Sequence, residues 1–159
     1  MKIISIDPGY ERLGIAVLEK NGPKEELVFS ECLKTSAKID HAERLKLIGE
    51  ELEKIIKKFK PSALAIETLF FSKNQKTAMQ VSEARGVILY IASKNNLEVK
   101  EFMPNNIKMA VTGYGASDKK NIISMIPKLI KIEKDIKYDD EYDAIAVGLT
   151  FFATQKTSL

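Results

Sequence analysis

The hydrophobic pattern of this chain changes period partway along. Three short β-type runs come first, Lys2–Asp7, Leu13–Glu19 and Leu27–Leu33, parted by the turn formers Pro8-Gly9 and Asn21-Gly22-Pro23. A parallel pair needs a crossover of a dozen residues or more, so spacers this short predict two successive antiparallel hairpins. From His41 to Phe59 the apolar residues Leu45, Ile48, Leu52, Ile55, Ile56 and Phe59 recur at helical spacing. Asp40 stands before them as a cap, and Pro61 stops the helix. Ser62–Thr68 follows as a short buried strand. Gln75–Lys94 is a second predicted helix with Val81, Ala84, Val87, Ile88 and Ile91 on one face, and Leu97–Phe102 is a fifth strand. A helical segment after Pro104, the loop Gly113-Tyr114-Gly115, a helix from about Ser117 and one from about Asp140 complete the order. That order defines an α/β fold, a five-stranded mixed sheet flanked by helices. Gly86 lies inside the second helix, where glycine costs about 1 kcal/mol against alanine, which points to close packing there, a dimer interface being one place for it.

No linker or repeat interrupts the 159 residues, so 1–159 reads as a single domain. With 45% hydrophobic and 30% charged residues the composition is that of a soluble globular protein. No apolar run approaches bilayer length, and the N-terminus meets Asp7 too early for a signal peptide, so a cytoplasmic location is expected with no membrane partner. Cys32 and His41 are each the sole residue of their kind, which excludes an internal disulfide and a cysteine or histidine zinc cluster. His41 sits in a polar stretch and reads as a solvated surface residue. The net charge of +3 permits nucleic-acid binding without arguing for it. Chemistry is left to carboxylates, hydroxyls and lysines.

The informative acids adjoin apolar runs. Asp7 ends the first strand at a Pro-Gly turn, and Glu67 ends the fourth, Ala-Ile-Glu. Strand ends are where α/β proteins hold ligands, and a carboxylate against a core strand is expensive to desolvate without a cation or donor. Each has a competing explanation as a strand-end residue reaching water. Asp139, Asp140, Glu141 and Asp143 crowd the start of the last helix, where acids also serve as caps. Asp143 lies inside the apolar run, beyond what capping requires. At about 100° per residue, Asp140 lies about 60° from Asp143, Asp139 about 40° and Glu141 about 160°. Glu141 is thereby removed, and Asp139 and Asp140 both remain. Carboxylates on three segments suit hard divalent cations such as magnesium or manganese, two of which can clamp an in-line phosphoryl displacement.

Several stretches taken in order resemble the RuvC-type Holliday junction resolvases. They are Ile6-Asp7-Pro8-Gly9 with Gly14, Ala65-Ile66-Glu67, Phe70-Phe71-Ser72-Lys73-Asn74, Ala84-Arg85-Gly86 and Asp140-x-x-Asp143-Ala144-Ile145-Ala146. The resemblance spans residue 2 to about 155. It implies a ribonuclease H-like fold, a homodimer, and symmetric nicking of four-way junction DNA with two Mg2+ or Mn2+ ions per site. It also implies a branch-migration helicase partner of the RuvA and RuvB type. Carried over by position, the metal-binding catalytic acids would be Asp7, Glu67, Asp140 and Asp143. Among the crowded acids the resemblance selects Asp140, and Asp139 then becomes the helix cap. Phe70 would match the aromatic that acts at the junction centre, and Lys108 and Lys119 the DNA-contacting lysines. Tyr10 stands where the family often has a small residue.

Three other readings compete. The Asp7-x-Gly9 hairpin also suits actin-like ATPases, but those need a second phosphate hairpin and twice the length. A RuvC-like nuclease of ribosomal RNA maturation would keep the chemistry and change the substrate; the long loop after Glu67 favours the resolvase. A non-catalytic nucleic-acid-binding module is opposed by the four retained carboxylates.

Overall fold

The computed structural model describes residues 1–69 and 75–155. Its elements are β1 (Lys2–Asp7), β2 (Arg12–Asn21), β3 (Lys24–Lys34), α1 (His41–Phe59), β4 (Ala63–Glu67), α2 (Gln75–Lys94), β5 (Glu98–Phe102), α3 (Pro104–Thr112), α4 (Lys119–Leu129) and α5 (Asp139–Thr154). The sheet runs β3-β2-β1-β4-β5. β1 pairs antiparallel with β2 and parallel with β4, so the mixed sheet and both hairpins match the sequence pattern.

Side chains alternate across a strand, and each face buries one layer. Ile4, Ile6, Ile15, Val17, Leu64 and Ile66 pack with Ile48 and Leu52 of α1 and Ile88 of α2. Ile3, Ala16, Leu18, Ala63 and Ala65 turn the other way, against α3, α4 and α5. α5 lies across the centre of that face, burying Ala144 through Phe152 without a break. It comes close because Gly148 has no side chain: a Cβ there would stand 2.6 Å from Leu18 and 2.8 Å from the Ser5 hydroxyl. That hydroxyl donates to the Ala144 carbonyl at 2.8 Å, tying helix to strand.

Some expectations need correction. β2 and β3 extend beyond the predicted runs because their hairpin carries polar ends, stitched by Lys20–Glu25 at 2.5 Å, that hydropathy does not mark. Asp40 holds the N-cap position of α1, but its side chain makes no capping hydrogen bond. α4 starts at Lys119, two residues later than expected, because Asp118 caps it by accepting from the Asn121 amide at 2.8 Å. At Gly86 a Cβ would meet nothing within 4 Å, so packing inside the chain does not account for this glycine. His41 is more than a solvated residue. Its Nδ1 lies 2.9 Å from the Tyr10 hydroxyl and its Nε2 2.6 Å from the Glu83 carboxylate, joining the turn after β1 to α2. Among the described residues no helix is long and apolar enough to cross a membrane.

Candidate active site

The strand period sets the first two acids. Asp7 has the same parity as Ile3 and Ser5, and Glu67 the same as Ala63 and Ala65, so both point toward α5. β1 and β4 run parallel with Ser5 opposite Ala65 and Ile6 opposite Ile66, a register that continues to bring Asp7 beside Glu67. The start of α5 crosses the same row over Gly14, which pairs with Asp7 across the sheet. Asp140 and Asp143 therefore arrive above the strand ends, and both bear electrostatically on Asp7.

Burial and crowding act together here. Burial first, then the charges of Asp143, Glu67 and Asp140, push the Asp7 carboxyl well above its ordinary value, with Lys119 opposing. Glu67 is raised by burial and by Asp143, while a hydrogen bond from the Asp7 carboxyl works the other way, as do Lys119 and Lys108. Asp143 is raised by burial against the pull of Lys119. The chain thus holds carboxylates where their charge is poorly tolerated.

Both lysines named from the sequence reach this place. A pocket of about 210 Å³ is lined by Glu67, Lys108, Lys119 and Asp143, with apolar walls from Ile107, Ile122 and Ala146. Lys119 Nζ lies 2.5 Å from Asp139 and 2.8 Å from Asp143. Burial opposes its charge, but the hydrogen bonds to the two acids outweigh burial and hold it above the ordinary lysine value. A larger hollow, about 970 Å³, runs along the outer edge of β3 past Leu129 and Lys134. It contains none of the converging acids, so chemistry rather than size marks the smaller pocket as the candidate site.

The crowded acids separate by direction. Asp139 is the first residue of α5 rather than its cap, because Tyr138 takes the cap position and the Asp139 side chain is engaged by Lys119. Glu141 turns away and is buried, accepting from Ser30 at 2.9 Å and Lys134 at 2.5 Å. Asp140 faces β2 and β3, with Arg12 at 3.7 Å and the Cys32 thiol at 3.9 Å. Burial, then Asp140, pushes that thiol up to about 11, so it stays protonated. Arg12 and Cys32 were not singled out from the sequence; only the strand register, Asp7 to Gly14 to Cys32, reveals them. Phe70 lies outside the described residues. Among the described residues no three acidic, histidine or cysteine side chains form a ready metal-holding group. The donors are nonetheless all carboxylate oxygens, and the repulsion among Asp7, Glu67 and Asp143 is what a hard divalent cation relieves.

Two strand-end carboxylates on adjoining parallel strands, faced by the acidic start of the last helix, sit on a mixed sheet of the ribonuclease H-like class. Comparison with known proteins narrows the class. The family model for crossover junction endodeoxyribonuclease RuvC matches residues 3–151. The enzyme of that name from Thermosipho melanesiensis is 46% identical, over 93% of this chain and 94% of its own. That from Fusobacterium nucleatum is 38% identical, over 94% and 79%. The structure of Thermus thermophilus RuvC in complex with Holliday junction substrate matches with a TM-score of 0.87 at 29% identity, covering 94% of this chain and 92% of that one. The chain belongs to the RuvC family of crossover junction endodeoxyribonucleases.

Proposed function

We propose that this endonuclease resolves four-way DNA junctions by symmetric paired nicks, with Asp7, Glu67, Asp140 and Asp143 holding two magnesium or manganese ions. The observation that carries this reading is the set of mutually repelling, part-buried carboxylates Asp7, Glu67 and Asp143, of which Glu67 and Asp143 line one pocket with Lys108 and Lys119. When bound, the ions supply the charge that activates water and stabilises the leaving oxygen in an in-line phosphodiester hydrolysis. The protein's own part is positional. Asp7 and Glu67 are fixed by the paired strands, and Asp140 and Asp143 by the helix seated on Gly14. Lys108 and Lys119 bind the phosphates that flank the scissile bond.

A homodimer supplies the second nick, Phe70 acts at the junction centre, and a RuvA and RuvB type helicase delivers the junction in the cytoplasm. The substrate is supported by the Thermus relative, whose structure holds its Holliday junction substrate. The test sets labelled four-way junction, linear duplex and RNA–DNA hybrid side by side with magnesium. Fast, symmetric nicking of the junction alone is expected, and loss of cleavage with retained binding when Asp7, Glu67 or Asp143 becomes its amide. Equal cutting of the hybrid overturns the substrate, and normal cleavage by the amide variants overturns the metal assignment.

A further inference from the structure

The ion pairs around Lys119 assign a role to an acid outside the metal-ligand set. We infer that Asp139 is a positioning residue that tethers the Lys119 ammonium at the rim of the site, so that Asp143 can be surrendered to a metal ion without losing the lysine. This rests on the reading of Asp143 as a metal ligand.

Lys119 Nζ is shared, 2.5 Å from Asp139 Oδ2 and 2.8 Å from Asp143 Oδ2. The two acids stand one helical turn apart on α5, on the same face. They are not equivalent. Asp143 is one of the charges that bear on Asp7, and its side chain is 21% exposed. Asp139 is not among those charges, and its side chain is 44% exposed. Asp143 therefore faces the inner carboxylates, whereas Asp139 stands farther from Asp7, held chiefly by Lys119 and within reach of Asp140 and Asp143. An ammonium held by Asp143 alone competes with a metal for the same oxygen. An ammonium held by no acid is free on a flexible four-carbon stem. A second anchor one turn outward resolves the conflict, because Lys119 keeps a partner after Asp143 changes hands. Its own place at the start of α4, set by the Asp118 cap, gives the tether a fixed base.

The experiment is a double-mutant cycle on the full chain, read by single-turnover junction cleavage and by Mn2+ binding to the DNA-free protein. Asp139→Asn should melt like the parent, slow cleavage about fivefold and weaken Mn2+ binding by a similar factor, the size expected for coupled contact residues. Asp139→Glu should restore most of both. In a Lys119→Met background Asp139→Asn should change either readout by less than twofold, because the tethered group is gone. An equal loss in both backgrounds, or none in the parent, overturns the proposal. Failure of the metal reading itself looks different: Asp143→Asn then binds Mn2+ and cleaves like the parent, whatever the cycle at Asp139 gives.

Discussion

Gly14→Ala adds one methyl group at the point where the helix carrying two of the acids rests on the strand paired with Asp7. The new Cβ would stand 2.7 Å from the Asp140 carbonyl carbon, nearer still to its oxygen, and 3.3 Å from the Ala144 Cβ. Carbon atoms rest at about 3.5–4.0 Å, so the first turn of α5 must lift by roughly 1 Å. Its carbonyl is backbone and cannot rotate aside as a flexible side chain would. Overpacking of this kind costs about 1–3 kcal/mol, which lowers Tm by roughly 3–10 °C in a chain of this size. The effect on chemistry should be larger in proportion. A displacement of about 1 Å in the acids proposed to orient the reaction should reduce the rate about a hundredfold. The assay is single-turnover cleavage of a four-way junction at saturating protein, well below the melting temperature, beside a calorimetric melt. A variant that melts lower yet cleaves at the parental rate refutes the link between the helix seat and the acids. One that matches the parent in both refutes the packing itself.

The remaining predictions concern charge. The folded-state pKa of Asp7 is raised, so the folded protein holds its proton more tightly than the unfolded chain, and metal-free stability should fall as pH rises through the window above the ordinary value of 3.8. Glu67 and Asp143 act in the same direction, and thermal melts in chelator should show Asp7→Asn more stable than the parent at neutral pH, with a flatter pH dependence. Asp140→Asn should abolish magnesium-dependent nicking at little cost in stability, whereas Glu141→Gln should lower stability by about 1–3 kcal/mol in denaturant titrations and leave nicking intact, because it weakens the buried contacts to Ser30 and Lys134. Lys108→Ala should weaken junction binding and make its salt dependence shallower by about one unit, with a parental melt.

The architecture was legible because short apolar runs parted by turn formers mark the strands and helical spacing marks α1 and α2. Those runs put Asp7 and Glu67 at strand ends, but their shared row follows only from the parallel register of β1 and β4. The hairpin ends were less legible, since Lys20, Glu25 and their neighbours extend the strands by backbone pairing with no apolar signal. The start of α5 was legible to within one residue and one ambiguity. Helical geometry kept both Asp139 and Asp140, and the structure distinguishes them by their partners, Lys119 at Asp139 and Arg12 with Cys32 at Asp140. Nothing local marks that pairing, because Lys119 and Asp139 are twenty residues apart and meet only through the packing of α4 on α5. The same holds for Arg12 and Cys32, which reach Asp140 through strand register, and for the contact between His41 and Glu83, which needs α1 and α2 side by side.

Local preference and global fold agree along almost all of this chain, and they conflict most sharply at the site. Ile3 and Ser5 are buried on the row that leads to Asp7, and Ala63 and Ala65 on the row that leads to Glu67. An apolar residue at either strand end would continue that packing without desolvating a charge. The chain instead ends each row in a carboxylate and lowers the acidic start of α5 onto them, so that burial and like charge both raise the proton affinity of the group. Such a conflict persists only where the surrounding structure over-determines it, and function is the usual reason for keeping it. The surrounding structure here is the glycine seat under the Asp140 backbone, the Ser5 hydroxyl on the Ala144 carbonyl and the Glu141 contacts to Ser30 and Lys134, none of which uses the four carboxylate groups. The scaffold is thus held by contacts separate from the groups it positions. That separation is why amide substitutions at Asp7, Glu67 or Asp143 should remove cleavage and leave the fold standing, while a single methyl at Gly14 should disturb both.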